Sequence, residues 1–281
     1  LFEPWVNEKD PKVLYGAASG IQGTQTIVRC IECMMIYENP RYPSEIIIEG
    51  YKNSEEEDHD SQYHMRVKSF YDSLYSMKAL LPPRNMSTKI LDIGTAGGAF
   101  LHAAEKFGYD AYGMEPSDQL VSSGQKRGLK IQQGLIENND FEEKSFDIIS
   151  LWDVIEHLTD PKDSLQHIKK LLKDEGILLI NYPDIGSRFA KLFGKKFWWI
   201  LSVHLHHFDK TSIKRICDIT GYETFHFQRY WQTLEFGYLE EMAAHLKVPL
   251  ARFITDLTPK FIKKIPFPYY AAQTTCLARL K

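Results

Sequence analysis

The side chains of this 281-residue chain that are suited to chemistry fall into four groups. Asp92 and Glu115 each end a short apolar run, and Gly94, Gly97 and Gly98 lie between them. Glycines in such a turn allow positive φ and let a ligand approach the backbone without meeting a Cβ. A helix starting behind them offers unpaired N–H groups and a partial positive charge. Glu115 follows Gly94 by 21 residues (115 − 94). An acid there accepts hydrogen bonds from the ribose of a nucleoside-bearing ligand, and a dinucleotide would be read in much the same way. The second group is Trp152, Asp153, Glu156 and His157, just after a later apolar run. The third is His204, His206 and His207, whose imidazoles, with an ordinary pKa of about 6.5, suit removal of a proton from a hydroxyl or a carbon acid. The fourth is the Cys-x-x-Cys knuckle of Cys30 and Cys33.

Positioning these groups takes an alternating chain. Ile90, Leu91 and Ile93 read as a strand buried on both faces. The glycine turn and a helix over 100–107 follow, which makes the first unit of a doubly wound α/β sheet. The pattern then predicts a strand over 110–114, a helix over 118–127 and a short strand over 130–133. A strand over 146–151, an amphipathic helix over 163–173 and a strand over 177–181 come next. Met65, Val67, Phe70, Leu74, Met77 and Leu80 recur at helical spacing upstream, until Pro82 and Pro83 end that helix. Downstream, an aromatic segment from Phe189 to Ile200 precedes helices over 211–219, 236–245 and 250–262 and strands over 222–230 and 271–280.

The glycine turn, then Tyr112–Ser117, Ser145–Leu158 and Leu171–Pro183 in that order, are similar to the motifs of class I S-adenosylmethionine-dependent methyltransferases. The chain resembles the small-molecule branch of that class, which includes ubiquinone-biosynthesis O-methyltransferases and sugar C-methyltransferases preceded by a zinc ribbon. The likeness runs from about residue 63 to 230. It implies a Rossmann-like sheet of seven strands closed by an antiparallel hairpin, with S-adenosylmethionine as cofactor. Asp92 would face the cofactor's amino end, and Gly94, Thr95, Gly97 and Gly98 its methionine part. Glu115 and Pro116 would flank the ribose, the Gly134-Leu135-Ile136 stretch the adenine, and Trp152 and Asp153 the transfer site. The helix over 63–81 would cover the pocket, with Tyr63 or Arg66 at the methionine end. Ala96 stands where the family carries a further glycine, a small departure unless that residue needs positive φ.

Glu156, His157 and His204 are the candidate catalytic residues, with His204 as base. Neighbouring side chains on a helix diverge, so only one of Glu156 and His157 is expected to face inward. Histidines alternating along a strand split between its faces, which argues against metal at the His204–His207 group. Cys30 and Cys33 resemble the second half of a zinc ribbon. Structural zinc takes four ligands, so they hold metal only with partner ligands upstream. The expected organisation is an extension over 1–53 and a methyltransferase domain over 54–281, with a substrate lid at about 184–210. The expected acceptor is a sugar nucleotide, glycan or natural-product intermediate, methylated at oxygen or carbon. The competing readings are a nicotinamide-dependent oxidoreductase and a non-catalytic module that binds the same cofactor.

A net charge of −3 without a long Lys/Arg run argues against a nucleic-acid partner. No apolar stretch is long enough to span a bilayer, and no membrane partner is expected. Four irregularly spaced cysteines and an opening without signal-peptide character point to a reducing cytoplasm. The acidic run Glu55–Asp60 reads as a solvated loop or first helical turn.

Overall fold

The structure, a computed structural model, describes residues 1–15, 20–52, 62–238, 240 and 258–281. The acidic run over 55–60 and most of the two helices expected over 236–245 and 250–262 lie outside them. The chain opens with α1 (Pro11–Tyr15), β1 (Ile27–Arg29), β2 (Ile36–Glu38) and α2 (Ser44–Lys52). After α3 (Tyr63–Ser76) come β3 (Lys89–Ile93), α4 (Ala99–Phe107), β4 (Asp110–Glu115), α5 (Asp118–Lys126) and β5 (Ile131–Gln133). β6 (Phe146–Trp152), α6 (Pro161–Leu171), β7 (Leu172–Pro183), α7 (Arg188–Phe193) and β8 (His206–His207) follow. The chain continues through α8 (Lys210–Thr220), β9 (Tyr222–Arg229), β10 (Gln232–Glu235), β11 (Pro266–Tyr269) and β12 (Gln273–Leu280).

The main sheet has seven strands in the order β5-β4-β3-β6-β7-β12-β9. β5 through β7 are parallel, and β12 runs antiparallel between β7 and β9. This is the Rossmann-like arrangement the resemblance implies. Strand order reverses at β3, between β4 and β6, and such a switch point opens a crevice at the strands' carboxyl ends. Alternate side chains feed two cores. Leu91, Ile149, Leu178 and Ile180 pack with Leu165 and Ile168 of α6 and Ile213 of α8. Ile90, Ile148 and Leu179 pack with Leu74 of α3 and with Leu101, Ala104 and Phe107 of α4.

Several boundaries differ from the sequence reading for local reasons. α6 starts two residues early because the Asp160 carboxylate accepts from the N–H groups of Lys162 and Asp163, with Pro161 opening the helix. β7 begins at Leu172; Phe146 faces Leu172 and Ile148 faces Ile177, so 173–176 bulge out of register. α3 stops at Ser76, and Met77 to Leu80 continue as turns ahead of the two prolines.

Two small sheets flank the main one. β1 and β2 are joined by β8, with Ile36 opposite His207 and Tyr37 opposite His206. The extension and the segment after β7 thus share a sheet. β10 and β11 form a two-stranded sheet against α3, where Ser69 Oγ accepts from the Thr233 N–H at 2.7 Å.

Candidate active site

β3 delivers Asp92 to the switch point, where it is 2% exposed. Burial pushes its carboxyl up to about 7, partly offset by the hydroxyls of Ser150 and Thr95. Ser150 Oγ–H donates to Asp92 Oδ1 at 2.7 Å. The turn that follows is held by Gly94 N–H and Thr95 N–H, both donating to the Met114 carbonyl. Gly98 (φ 84°) is the residue from which α4 springs; a Cβ there would sit 2.3 Å from Leu129 Cδ1. At Gly94 (φ 67°) a Cβ would lie 2.6 Å from Val154 Cγ2. Both positions therefore require glycine for reasons inside the protein. Gly97 is more open, its nearest neighbour being the Arg127 guanidinium at 3.5 Å from a built Cβ.

Ala96 takes φ 49°, so the departure from glycine is not free of strain. What holds it is Glu115: the Ala96 N–H donates to Glu115 Oε2 at 2.9 Å, and the Ser117 N–H to Oε1 at 3.0 Å. Glu115 is 6% exposed, and burial raises its carboxyl above the ordinary value. Next to it, the Gly134 N–H donates to the Glu115 carbonyl, and Leu135 after it is half-buried. The Pro116 carbonyl accepts from Gln133 Nε2 at 3.4 Å. The Ser117 hydroxyl and the Trp152 indole N–H are buried without partners among the described residues. Orphaned donors around a buried acid, at a helix N-terminus, suit a polar ligand carrying hydroxyls and a carboxylate. The residues present thus fit the nucleoside and amino-acid parts of S-adenosylmethionine.

Trp152 packs against Phe70, Phe100 and Tyr230 at ring distances of 5.0, 5.3 and 5.0 Å. It forms an apolar wall. Asp153 (φ 55°) turns the other way and accepts from Gln273 Nε2. Gln273 accepts in turn from Gln232, which accepts from the Tyr269 hydroxyl at 2.6 Å. Burial lifts Asp153 to about 7 against the Gln273 bond and the nearby Arg66 charge. Tyr63 of α3 reaches the Gly98 carbonyl at 3.4 Å, so α3 does lie over the turn.

Glu156 and His157 sit in a tight turn, not on a helix, and both converge with His204. One ligating atom from each lies within 4.8 Å of the others. The expectation that only one faces inward fails because a turn does not impose helical divergence. Both Glu156 oxygens are buried and unpartnered among the described residues. Burial holds that carboxyl well above the ordinary value, with the Asp153 charge adding to the shift. The same burial lowers His157 to about 4 and takes His204 well below its usual range. His204 Nδ1 donates to the Trp199 carbonyl at 2.7 Å, and His157 Nδ1 lies 2.9 Å from the Val203 carbonyl and 2.6 Å from the Tyr51 hydroxyl. A carbonyl only accepts, so each Nδ1 carries its proton and each Nε2 keeps a lone pair. His206 and His207 lie in β8, with the His207 ring 6.5 Å from that of His204; burial takes them to about 4 and 3. Tyr51 and the Gln232–Gln273 pair were not visible as site residues, since they meet the site across 106 and 120 residues of chain.

The Cys30–Cys33 knuckle is formed: the Cys33 N–H lies 3.5 Å from Cys30 Sγ, and Met34 takes the φ of 63° that a glycine would favour. The Cys33 and Glu32 N–H groups hold the Cys30 thiol below its usual value. Among the described residues no other ligating side chain joins the two thiols in a metal-sized group.

A family model described as a methyltransferase domain matches residues 63–226. The ubiquinone biosynthesis O-methyltransferase of Actinobacillus pleuropneumoniae serotype 7 is 31% identical over 104 residues, 33% of this chain and 44% of that protein. Phosphoethanolamine N-methyltransferase 2 of Caenorhabditis elegans is 24% identical over 187 residues, 61% of this chain and 40% of that one. The chain thus matches less than half the length of these curated relatives. A SAM-dependent methyltransferase of Thermotoga maritima shares the fold, with a TM-score of 0.51 at 20% identity over 79% of this chain and 91% of that one. The matched segment, 164 residues (226 − 63 + 1), is more than half of the chain. The chain belongs to the methyltransferase-domain family and has the fold of class I S-adenosylmethionine-dependent methyltransferases.

Proposed function

We propose that this methyltransferase acts on a hydroxyl or an acidic carbon of a small molecule, and that Glu156, braced by His157 and His204, takes the proton released. The bound cofactor supplies an electrophilic methyl group on a sulfonium. Asp92 and Glu115 would hold its two ends. The wall of Trp152, Phe70, Phe100 and Tyr230 keeps water from the transfer site. When the acceptor is methylated, the proton it releases would pass to the Glu156 carboxylate. His157 and His204 converge on the same point and would share it. The name of one curated relative, a ubiquinone biosynthesis O-methyltransferase, agrees with a hydroxyl acceptor.

The observation that carries this reading is the pair of unpartnered oxygens on a buried Glu156. Both Glu156 oxygens are open to a proton, whereas each imidazole already commits its Nδ1 to a backbone carbonyl, which favours Glu156 over His204 as first proton acceptor. Sugar nucleotides and phenols are screened with isotopically labelled methyl donor. Glu156→Gln is then compared with the unaltered chain on an accepted substrate. A base role lowers kcat by roughly 10²- to 10⁴-fold. It leaves S-adenosylhomocysteine affinity intact. Full turnover by the variant would remove Glu156 from the reaction.

A further inference from the structure

α7 and the turn after it leave apolar side chains in water. Leu192 is 77% exposed, Phe193 45% and Phe189 39%. Ring contacts link them into one surface: Phe193 to Trp198 at 5.5 Å, Trp198 to Phe189 at 5.7 Å, Phe189 to Tyr270 at 6.1 Å and Tyr270 to Trp231 at 5.7 Å. Trp231 is itself 54% exposed. Single exposed hydrophobes are ordinary, whereas a connected patch marks an interaction site.

The fringe of this patch is cationic. Residues 185–200 hold Arg188, Lys191, Lys195 and Lys196 and no acid, a local +4 in a chain of net −3. The Arg229 guanidinium lies 5.3 Å from the Tyr270 ring, and the Lys195 ammonium 5.3 Å from the half-exposed Trp5 ring. Lysine is depleted at protein–protein interfaces. At a bilayer, lysine and arginine reach the headgroups, aromatic rings sit at headgroup depth, and leucine and phenylalanine enter the acyl boundary. We propose that this chain docks on anionic lipid bilayers through the exposed aromatic and basic face of α7 and its neighbours Trp198, Trp231 and Tyr270. No helix among the described residues is long and apolar enough to cross a membrane; lying on one needs no such helix.

The patch belongs to the segment that completes the active site. The indole N–H groups of Trp198 and Trp199 both donate to the Ala271 carbonyl. The Trp199 ring stacks at 6.0 Å and 20° on His204, which meets Glu156. A docked protein would present the segment carrying His204 to the bilayer, where an acceptor dissolved in lipid is concentrated. Docking itself does not depend on which residue takes the proton.

The full chain is sedimented with vesicles of phosphatidylcholine alone and of phosphatidylcholine mixed with phosphatidylglycerol, while tryptophan emission is recorded. Binding to the mixed vesicles with a blue shift is expected, weakening as salt is raised. Each basic residue near an anionic surface contributes about fivefold to partitioning, so Lys191→Glu/Lys195→Glu should lower it by more than tenfold. Leu192→Glu/Phe193→Glu should lower it by at least about tenfold through lost apolar burial. Ile219→Glu, at an equally exposed apolar site on α8, should leave it unchanged. Retained S-adenosylhomocysteine affinity verifies that each variant is folded. Failure to sediment with the mixed vesicles, or equal binding by Leu192→Glu/Phe193→Glu, would overturn the proposal. So would self-association of the chain that Leu192→Glu abolishes, which would assign the patch to a second copy.

Discussion

Glu115→Gln separates the duty this carboxylate performs in the glycine turn from the one we propose for it at the cofactor's ribose. In the structure each oxygen already accepts one backbone N–H, from Ala96 at 2.9 Å and from Ser117 at 3.0 Å. Glutamine keeps the volume but must turn an NH₂ toward one of these donors, which loses a bond to a charged acceptor worth about 1.5–3 kcal/mol. Against that stands relief of burying a charge, since burial is the main cause of the raised Glu115 pKa. The two terms are of similar size and opposite sign, so the net change in unfolding free energy should stay within about 1 kcal/mol. No such offset exists for the ribose. Losing a charge-assisted bond to its hydroxyls costs about 1.5–3 kcal/mol, or roughly 10- to 150-fold in affinity. Titration calorimetry with S-adenosylhomocysteine, run beside urea unfolding, reads both quantities. An affinity kept within threefold, together with a clear loss of stability, would show that Glu115 only staples the glycine turn.

Other perturbations bear on the same site. Ala96→Gly removes a left-handed alanine cost of about 1–2 kcal/mol and adds about 0.4–1 kcal/mol of unfolded-state entropy. A small gain in thermal midpoint is therefore expected by calorimetry; a fall would mean that Ala96 is unstrained. Gly98→Ala meets both the positive φ and Leu129 Cδ1 at 2.3 Å. It should lose about 2–4 kcal/mol in urea unfolding. His207 is 5% exposed and its folded pKa is depressed to about 3 by burial. Its stabilisation is thus present above about pH 6.5 and is lost as pH falls toward 3, amounting to about 2 kcal/mol by pH 5. His207→Phe should flatten the stability profile between pH 6.5 and 5 by that amount relative to the unaltered chain, and identical slopes would contradict the burial argument.

What the sequence revealed was what is encoded locally. The buried strand at Ile90–Ile93, the glycine turn and the two acids follow from patterns a few residues long, and the structure brings them to one crevice. The helix start at Asp160-Pro161 was encoded locally too, as a capping acid before a proline, but apolar spacing placed it two residues late. Other features depend on contacts that sequence spacing does not carry. Ala96 reveals its positive φ only once Glu115 is seen holding its N–H. Glu156 and His157 converge because the segment folds as a turn, and Tyr51 joins them from far upstream. β11 contains Pro266 and Pro268, which cannot donate to a ladder, and the edge of a two-stranded sheet tolerates them.

The pairing of β2 with β8 sets limits on how this protein can be cut or rebuilt. Deleting the first fifty residues would strip His206 and His207 of their backbone neighbours and uncover an unsatisfied edge beside the turn of Glu156 and His157. A trimmed version would thus be prone to aggregate and would carry a loosened pocket. Anyone swapping amino-terminal modules between relatives would need to transplant the stretch between β7 and α8 along with them.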